Sequence, residues 1–379
     1  MMSAFRLFSS ARWAFILLVL FTSIQSISIE KRVFNGVRNF AERALNELIR
    51  YNPDPDAPLP PVYTLAQFLT SKSPTKKLNE TSVHNSSSTS LREALNRMVK
   101  IPLDQDYYPI KDEEVDAFRS IAKLCAIGYC RNFSTTAFEC GERCKEFPNM
   151  TLAGHFLTPR YDINGYVAYD KEAQVIVVAW GGSVSEQNWI ENAKIMPIKY
   201  SEASYGAFVH MGFQEAYEEA RGPMLRLILP VLKEYPYFRL LITGHSLGGA
   251  LATLNAADLY RTFSEFHNSP YGLQLVTFEQ PRIGNKVFSD YIKQLPIYAK
   301  RVVYKLDPVP HVPISPLLWH PSGSEVWALN QNGDMVQCLN DNSIQCSRGI
   351  SRYNVDDHMN FLDLQFGRKG CAGYVEKEG

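Results

Sequence analysis

The chain has 379 residues, with 39 Lys and Arg against 39 Asp and Glu; at 45% hydrophobic and 21% charged it has an ordinary globular composition. Zero net charge excludes a nucleic-acid binder, which needs a basic excess to displace counterions from phosphates. Neither a repeat nor a second long apolar run is visible, which excludes collagen-like, coiled-coil and multi-span membrane chains.

Residues 1–28 read as a signal peptide: Arg6 and Arg12 form a positive start, Trp13–Phe21 an apolar run, and Ser26 and Ser28 a small-residue cleavage region. A retained signal anchor is the alternative, but nine apolar residues fall short of the roughly 20 that span a bilayer. Residues 29–108 read as a propeptide or flexible N-terminal extension. Within it, residues 33–50 carry Val33, Val37, Phe40, Ala44 and Leu48 on one helical face, followed by the proline-rich PDPDAPLPP and a Ser/Thr/Asn-rich stretch at 71–90. Lys31-Arg32 and Lys76-Lys77 offer dibasic processing points.

From residue 109 to 379 the texture is that of one α/β domain. A helix is expected from Lys111 to Tyr129, strands at Gly165–Asp170 and Gln174–Trp180, and a long helix through Met224, Ile228 and Leu232. Further strands follow at Phe238–Thr243, Leu273–Phe278 and Arg301–Leu306. Strands alternating with helices imply crossover connections and a mostly parallel sheet covered on both faces. Seven cysteines, with Cys140/Cys144 and Cys338/Cys346 as close pairs, fit an oxidising compartment better than a zinc site. Sequons at Asn79, Asn85, Asn132 and Asn149 agree with the secretory route.

The strongest local signal is Gly244-His245-Ser246-Leu247-Gly248, between the strand RLLIT and an Ala- and Leu-rich helix. A sharp strand-to-helix turn lifts the serine above the sheet at a helix N-terminus, and flanking glycines let the backbone pass closely. A serine nucleophile needs a base and an orienting acid, which follow in that fold in the order acid, then histidine. Asp307, after the strand RVVYKL, and His358, in NVDDHMNF, fit that order. Other histidines have plainer readings: His245 should point away from the serine hydroxyl, His210 opens a helix as a packed residue, and His311 and His320 are structural.

The segments AIGYCR, VVAWGGS, VHMGF, TGHSLGGA, PRIGN, KLDPVPHVP, HPSGSEVW and DDHMNF occur in family order, and over residues 112–371 the chain resembles the secreted class 3, fungal-type triacylglycerol lipases. The resemblance implies an α/β-hydrolase fold with a short helical lid, and Ser246, Asp307 and His358 as nucleophile, acid and base. It implies an oxyanion hole from the backbone N–H of Leu247 and from Ser183, with Gly181 standing where the family usually has arginine. The lid would run from Val184 to about Ile195, with Trp189 and Ile190 matching the family and Glu186 where an apolar residue is common. Bridges Cys130–Cys371, Cys140–Cys144 and Cys338–Cys346 are implied, leaving Cys125 free.

The implied protein is a secreted, monomeric serine hydrolase acting on acylglycerols at an oil–water interface, with no metal, cofactor or nucleic-acid partner. A soluble carboxylesterase of feruloyl or short-chain type, or an inactive hydrolase-like binding protein, are the alternatives. The zero net charge divides unevenly: residues 1–110 hold 13 basic and 9 acidic side chains, leaving 26 and 30 in the remainder.

Overall fold

The computed structural model describes residues 106–134, 137–182, 196–203, 206–263, 272–314, 318–340 and 343–374. The signal peptide, all but the end of the N-terminal extension, Ser183 and the lid with Glu186, Trp189 and Ile190 lie outside the described residues.

In chain order the elements are β1 (Tyr107–Pro109), α1 (Asp112–Ile127), β2 (Met150–Leu157), β3 (Asn164–Asp170), β4 (Val175–Trp180), β5 (Pro197–Lys199) and β6 (Phe208–His210). There follow α2 (Met211–Glu234), β7 (Arg239–His245), α3 (Leu247–Thr262), β8 (Leu273–Phe278), α4 (Lys286–Gln294) and β9 (Tyr298–Tyr304). The last elements are β10 (Ser324–Ala328), β11 (Met335–Cys338), β12 (Asn360–Phe361) and β13 (Leu364–Gln365).

Nine strands form one sheet in the order β1-β11-β10-β9-β8-β7-β4-β3-β2. The five central strands β4, β7, β8, β9 and β10 are parallel, and both margins are antiparallel. The parallel pairs β4–β7, β7–β8 and β8–β9 are joined through α2, α3 and α4, whereas the antiparallel pairs β2–β3, β3–β4 and β10–β11 are joined by short connections. Asp170 and Val175 pair across the turn from β3 to β4, too few residues apart for a crossover.

Strand alternation sorts the core into two layers. In β4, Val175, Val177 and Ala179 pack with α1 residues such as Phe118 and Ile121. Ile176, Val178 and Trp180 face the other way, against Phe213 and Met224 of α2 and Leu251 and Leu254 of α3. All six residues of β4 are buried, as are all six of β8, because each of these strands is covered on both faces. Acidic Asp112, Glu113 and Glu114 occupy the first turn of α1, where they complement the positive end of the helix dipole. None of the described helices is long and apolar enough to cross a membrane.

Disulfides join Cys130 to Cys371, Cys140 to Cys144 and Cys338 to Cys346, the pairs that the family resemblance implies. Cys125 is the buried free thiol, its pKa pushed up to about 12 by burial, so it is inert at neutral pH. The Cys130–Cys371 bridge closes a separation of 241 residues, against 4 and 8 for the others. A Cys130→Ala/Cys371→Ala variant should lose roughly 2–5 kcal/mol in urea unfolding, more than the paired alanine variant of either short bridge. Equal losses for all three would contradict the ranking by loop length.

Candidate active site

Ser246 sits between β7 and α3 with φ 55° and ψ −126°, a left-handed conformation that non-glycine residues rarely adopt. Its N–H donates to the Phe278 carbonyl at 3.0 Å, which fixes the turn against β8. The flanking glycines are sterically required. A Cβ on Gly244 would lie 2.2 Å from the Gly248 carbonyl oxygen, and one on Gly248 would lie 2.2 Å from that of Trp180. The turn places Ser246 at the N-terminus of α3, where first-turn amides lack intrahelical acceptors and favour negative charge.

From Ser246 a chain of hydrogen bonds runs inward. The hydroxyl lies 2.9 Å from His358 Nε2, and His358 Nδ1 lies 2.8 Å from Asp307 Oδ2. The other Asp307 oxygen accepts the Val309 N–H at 2.8 Å, which orients the carboxylate. Ser246, Asp307 and His358 are 1%, 0% and 3% exposed, so the whole relay is shielded from water. The three residues named from sequence are thus brought together in nucleophile–base–acid geometry.

A second set of residues holds that relay in place. His245 points away from Ser246, as its strand position requires, and is not idle. Its Nε2 lies 2.7 Å from the His358 carbonyl, its Nδ1 lies 2.5 Å from Tyr129 Oη, and its ring stacks on Phe366 at 3.9 Å. Burial, and then the neighbouring His358, hold its pKa well below the usual value. The neutral ring therefore donates from Nε2 to the carbonyl and accepts the Tyr129 hydroxyl at Nδ1. Asp357, adjacent in sequence to the histidine, accepts the Leu306 N–H at 3.3 Å and pairs with Lys305 at 3.6 Å, tying the His358 segment to the Asp307 loop.

Glu279, the residue after β8, is 0% exposed and has φ 51°. One of its oxygens accepts the Tyr304 N–H at 3.0 Å. Its other oxygen is buried and has no hydrogen-bond partner among the described residues. Burial, followed by the Asp307 charge, pushes the Glu279 pKa well up, which favours its neutral form. Tyr129 and Asp357 lie inside the family segments AIGYCR and DDHMNF without a role that the sequence assigned them, and Glu279 lies in none of the segments.

Leu247 opens α3 directly after Ser246, whereas Ser183 lies outside the described residues. Gly181, the departure from the family pattern, has a physical reason: a Cβ there would lie 2.4 Å from the Gly128 carbonyl oxygen, so backbone already fills the space. A Cβ on Gly182 would likewise lie 2.1 Å from the Tyr129 hydroxyl that serves His245. His210 is the packed residue expected, accepting the Gly212 N–H at 3.1 Å and stacking on Phe213. Among the described residues the one grouping with metal-ligand character is Glu325, Cys338 and Cys346, whose sulfurs are joined in a disulfide and offer no thiolate.

Residues 177–316 match the family model described as lipase (class 3). A curated lipase from Rhizomucor miehei is 31% identical over 258 residues, covering 67% of this chain and 70% of that protein. The chain belongs to the class 3 lipase family. A relative from Fusarium solani, named secreted mono- and diacylglycerol lipase 1, is 31% identical over 58% of this chain, and this chain spans 65% of its length. Among solved structures, a triacylglycerol lipase described as having a serine protease triad for its catalytic centre superposes with a TM-score of 0.64. It is 30% identical and covers 69% of this chain and 98% of its own. This class 3 lipase is accordingly a serine hydrolase of ester bonds with the α/β-hydrolase fold.

Two outcomes follow for the lipase. Tyr129→Phe removes the donor to a fully buried imidazole nitrogen, so it should cost about 1–3 kcal/mol of stability. It should also lower kcat more than it changes KM, because the His245 ring that holds the His358 carbonyl loses a partner. The second outcome concerns pH. Burial holds His245 well below its ordinary pKa and brings His210 and His311 to about 4. The unfolded chain therefore takes up these protons first, and stability should fall as pH drops below about 6.5 toward 4. Glu279 acts in the opposite sense, its raised pKa making stability fall as pH rises above the unfolded value. Urea midpoints should drop from pH 7 to pH 5, and drop more steeply in Glu279→Gln; a flat or reversed profile in both proteins contradicts these assignments.

Proposed function

We propose that Ser246 is the nucleophile, His358 the general base and Asp307 the orienting acid of an acyl-transfer reaction. His358 takes the Ser246 proton as the hydroxyl attacks the ester carbonyl, then gives it to the leaving alcohol. Water attacks the acyl-enzyme by the same route, releasing the fatty acid and regenerating Ser246. Asp307 holds the imidazole in the tautomer with its proton on Nδ1 and stabilises the imidazolium formed during attack. The Leu247 N–H and Ser183, through its backbone N–H and hydroxyl, bind the oxyanion. The observation that carries this reading is the unbroken Ser246–His358–Asp307 hydrogen-bond chain on a left-handed elbow.

The substrate we assign is an acylglycerol presented at an oil–water interface. Its support is the likeness to proteins named triacylglycerol and mono- and diacylglycerol lipases. The near-complete burial of Ser246 agrees with it, since an ester reaches the hydroxyl only after a cover moves. The segment from Val184 to about Ile195, with Trp189 and Ile190 apolar and Glu186 polar, is the cover we assign. Residues 1–28 act as the signal peptide, 29–108 as a propeptide or extension, and 109–379 as the catalytic domain of an extracellular monomer. No cofactor enters the mechanism.

Ser246→Ala should reduce ester hydrolysis by at least about 10⁴-fold while circular dichroism and yield stay those of the unmodified enzyme. Full activity in that variant would remove Ser246 from the mechanism. On tributyrin, rate should rise sharply once substrate exceeds its solubility and forms droplets. A rate that merely saturates on dissolved ester identifies a soluble carboxylesterase instead, the direction in which Glu186 in the lid would push.

A further inference from the structure

Away from the Ser246 relay, a cavity of about 250 Å³ opens beside the segment that follows Asp307. Among the described residues its wall carries the guanidinium groups of Arg282, Arg301 and Arg348 and one carboxylate, that of Glu325. That carboxylate is fully engaged. One oxygen pairs with Arg301 and the other accepts the Ser347 N–H at 3.0 Å. Arg301 and Glu325 are 2% and 3% exposed, so the pair is part of the interior.

Four polar atoms on the same wall are buried and lack a hydrogen-bond partner among the described residues: Arg282 Nε, Arg301 Nε, His311 Nε2 and Ser347 Oγ. Buried polar atoms are seldom left unmet; the two guanidinium Nε atoms can only donate, and the Ser347 hydroxyl and His311 Nε2 can each donate as well, so the set suits an occupant with several acceptor oxygens. Charge narrows the choice. Arg282 sits near Arg301 and Arg348, and their repulsion, after burial, lowers its pKa. Water would satisfy the donors and leave that repulsion in place. A multivalent oxyanion satisfies both, because the guanidinium fork matches tetrahedral oxygens and its positive charge is then neutralised.

We propose that this cavity binds a phosphate group, held by Arg282 and Arg301 inside, by Arg348 at the exposed rim and by the Ser347 hydroxyl. Its position links it to the reaction site. The Arg282 N–H donates to the Val312 carbonyl at 2.9 Å and its Nη1 to that of Pro313 at 3.4 Å, while His311 closes the short 3₁₀ turn Val309–His311 after Asp307. A bound phosphate therefore braces the loop that presents the acid to His358. The group can be the free ion or part of a glycerophospholipid headgroup, since both present the same oxygens.

The test is calorimetric titration of the whole enzyme with inorganic phosphate at pH 7, at constant ionic strength set with potassium chloride. One phosphate should bind per chain, saturably, with a matching rise in Tm. Arg282→Gln and Arg348→Gln should each weaken binding about tenfold or more, the loss of one charge-assisted contact. Arg160→Gln, an exposed site outside the cavity wall, should leave it unchanged. Arg348 is exposed, so its variant keeps the test valid should Arg282→Gln fail to fold. Absence of saturable binding, or equal affinity in Arg348→Gln and the unmodified enzyme, overturns the proposal. Glycerol 3-phosphate displacing inorganic phosphate assigns the site to headgroups, and failure to displace it assigns the site to the free ion.

Discussion

A single strained residue sets the terms for the rest of the molecule. Holding Ser246 at positive φ costs on the order of 1–3 kcal/mol, and it persists only where surrounding structure over-determines it. Here β4 and β7 run parallel with Trp180 opposite Gly244, so that the ends of two strands and the start of α3 crowd one point. Only glycine fits at Gly244 and Gly248 in that crowding. Parallel strands also end on the same edge of the sheet, and each of four neighbours delivers one component there. Gly181 and Gly182 follow β4, Ser246 follows β7, Glu279 follows β8 and Asp307 follows β9.

His358 is the exception, since no strand of the large sheet presents it. It lies in the 3₁₀ turn Val355–Met359, and its position is set by contacts from outside that turn. His245 holds its carbonyl, Asp357 reaches the Leu306 N–H, and the Asn354 N–H donates to the Leu306 carbonyl at 2.9 Å. The Cys130–Cys371 bridge then anchors the following segment to the chain just beyond α1. The serine and the acid are thus placed by the sheet, and the histidine by side chains and one covalent link.

What could be read from the sequence was whatever is locally encoded. The VIVVAW and LQLVTF runs mark β4 and β8 because a strand buried on both faces must be apolar throughout. The elbow is legible because its glycines and serine are contiguous. By contrast β2, MTLAGHFL, has mixed burial and a register shift between Leu152 and Gly154, so no clean alternation betrays it. The edge strand β1 has three residues and its neighbour β11 four; β1 exists through pairing with β11, and β11 through pairing with β1 and β10. The supporting role of His245 depends on partners 116 and 113 residues away, and that of Glu279 on a left-handed backbone at an acidic residue. Long-range contacts of single side chains leave no periodicity to detect.

The order of the three reactive residues along the chain has a consequence for how the enzyme is made. His358 follows Ser246 by 112 residues and Asp307 by 51. At about 5–20 residues per second, synthesis separates the serine from the histidine by roughly 6–20 s. Throughout that interval a nascent chain carries the elbow serine without His358, its hydrogen-bond partner in the folded protein. The Ser246–His358–Asp307 hydrogen-bond chain closes only when the late-made histidine segment docks against His245.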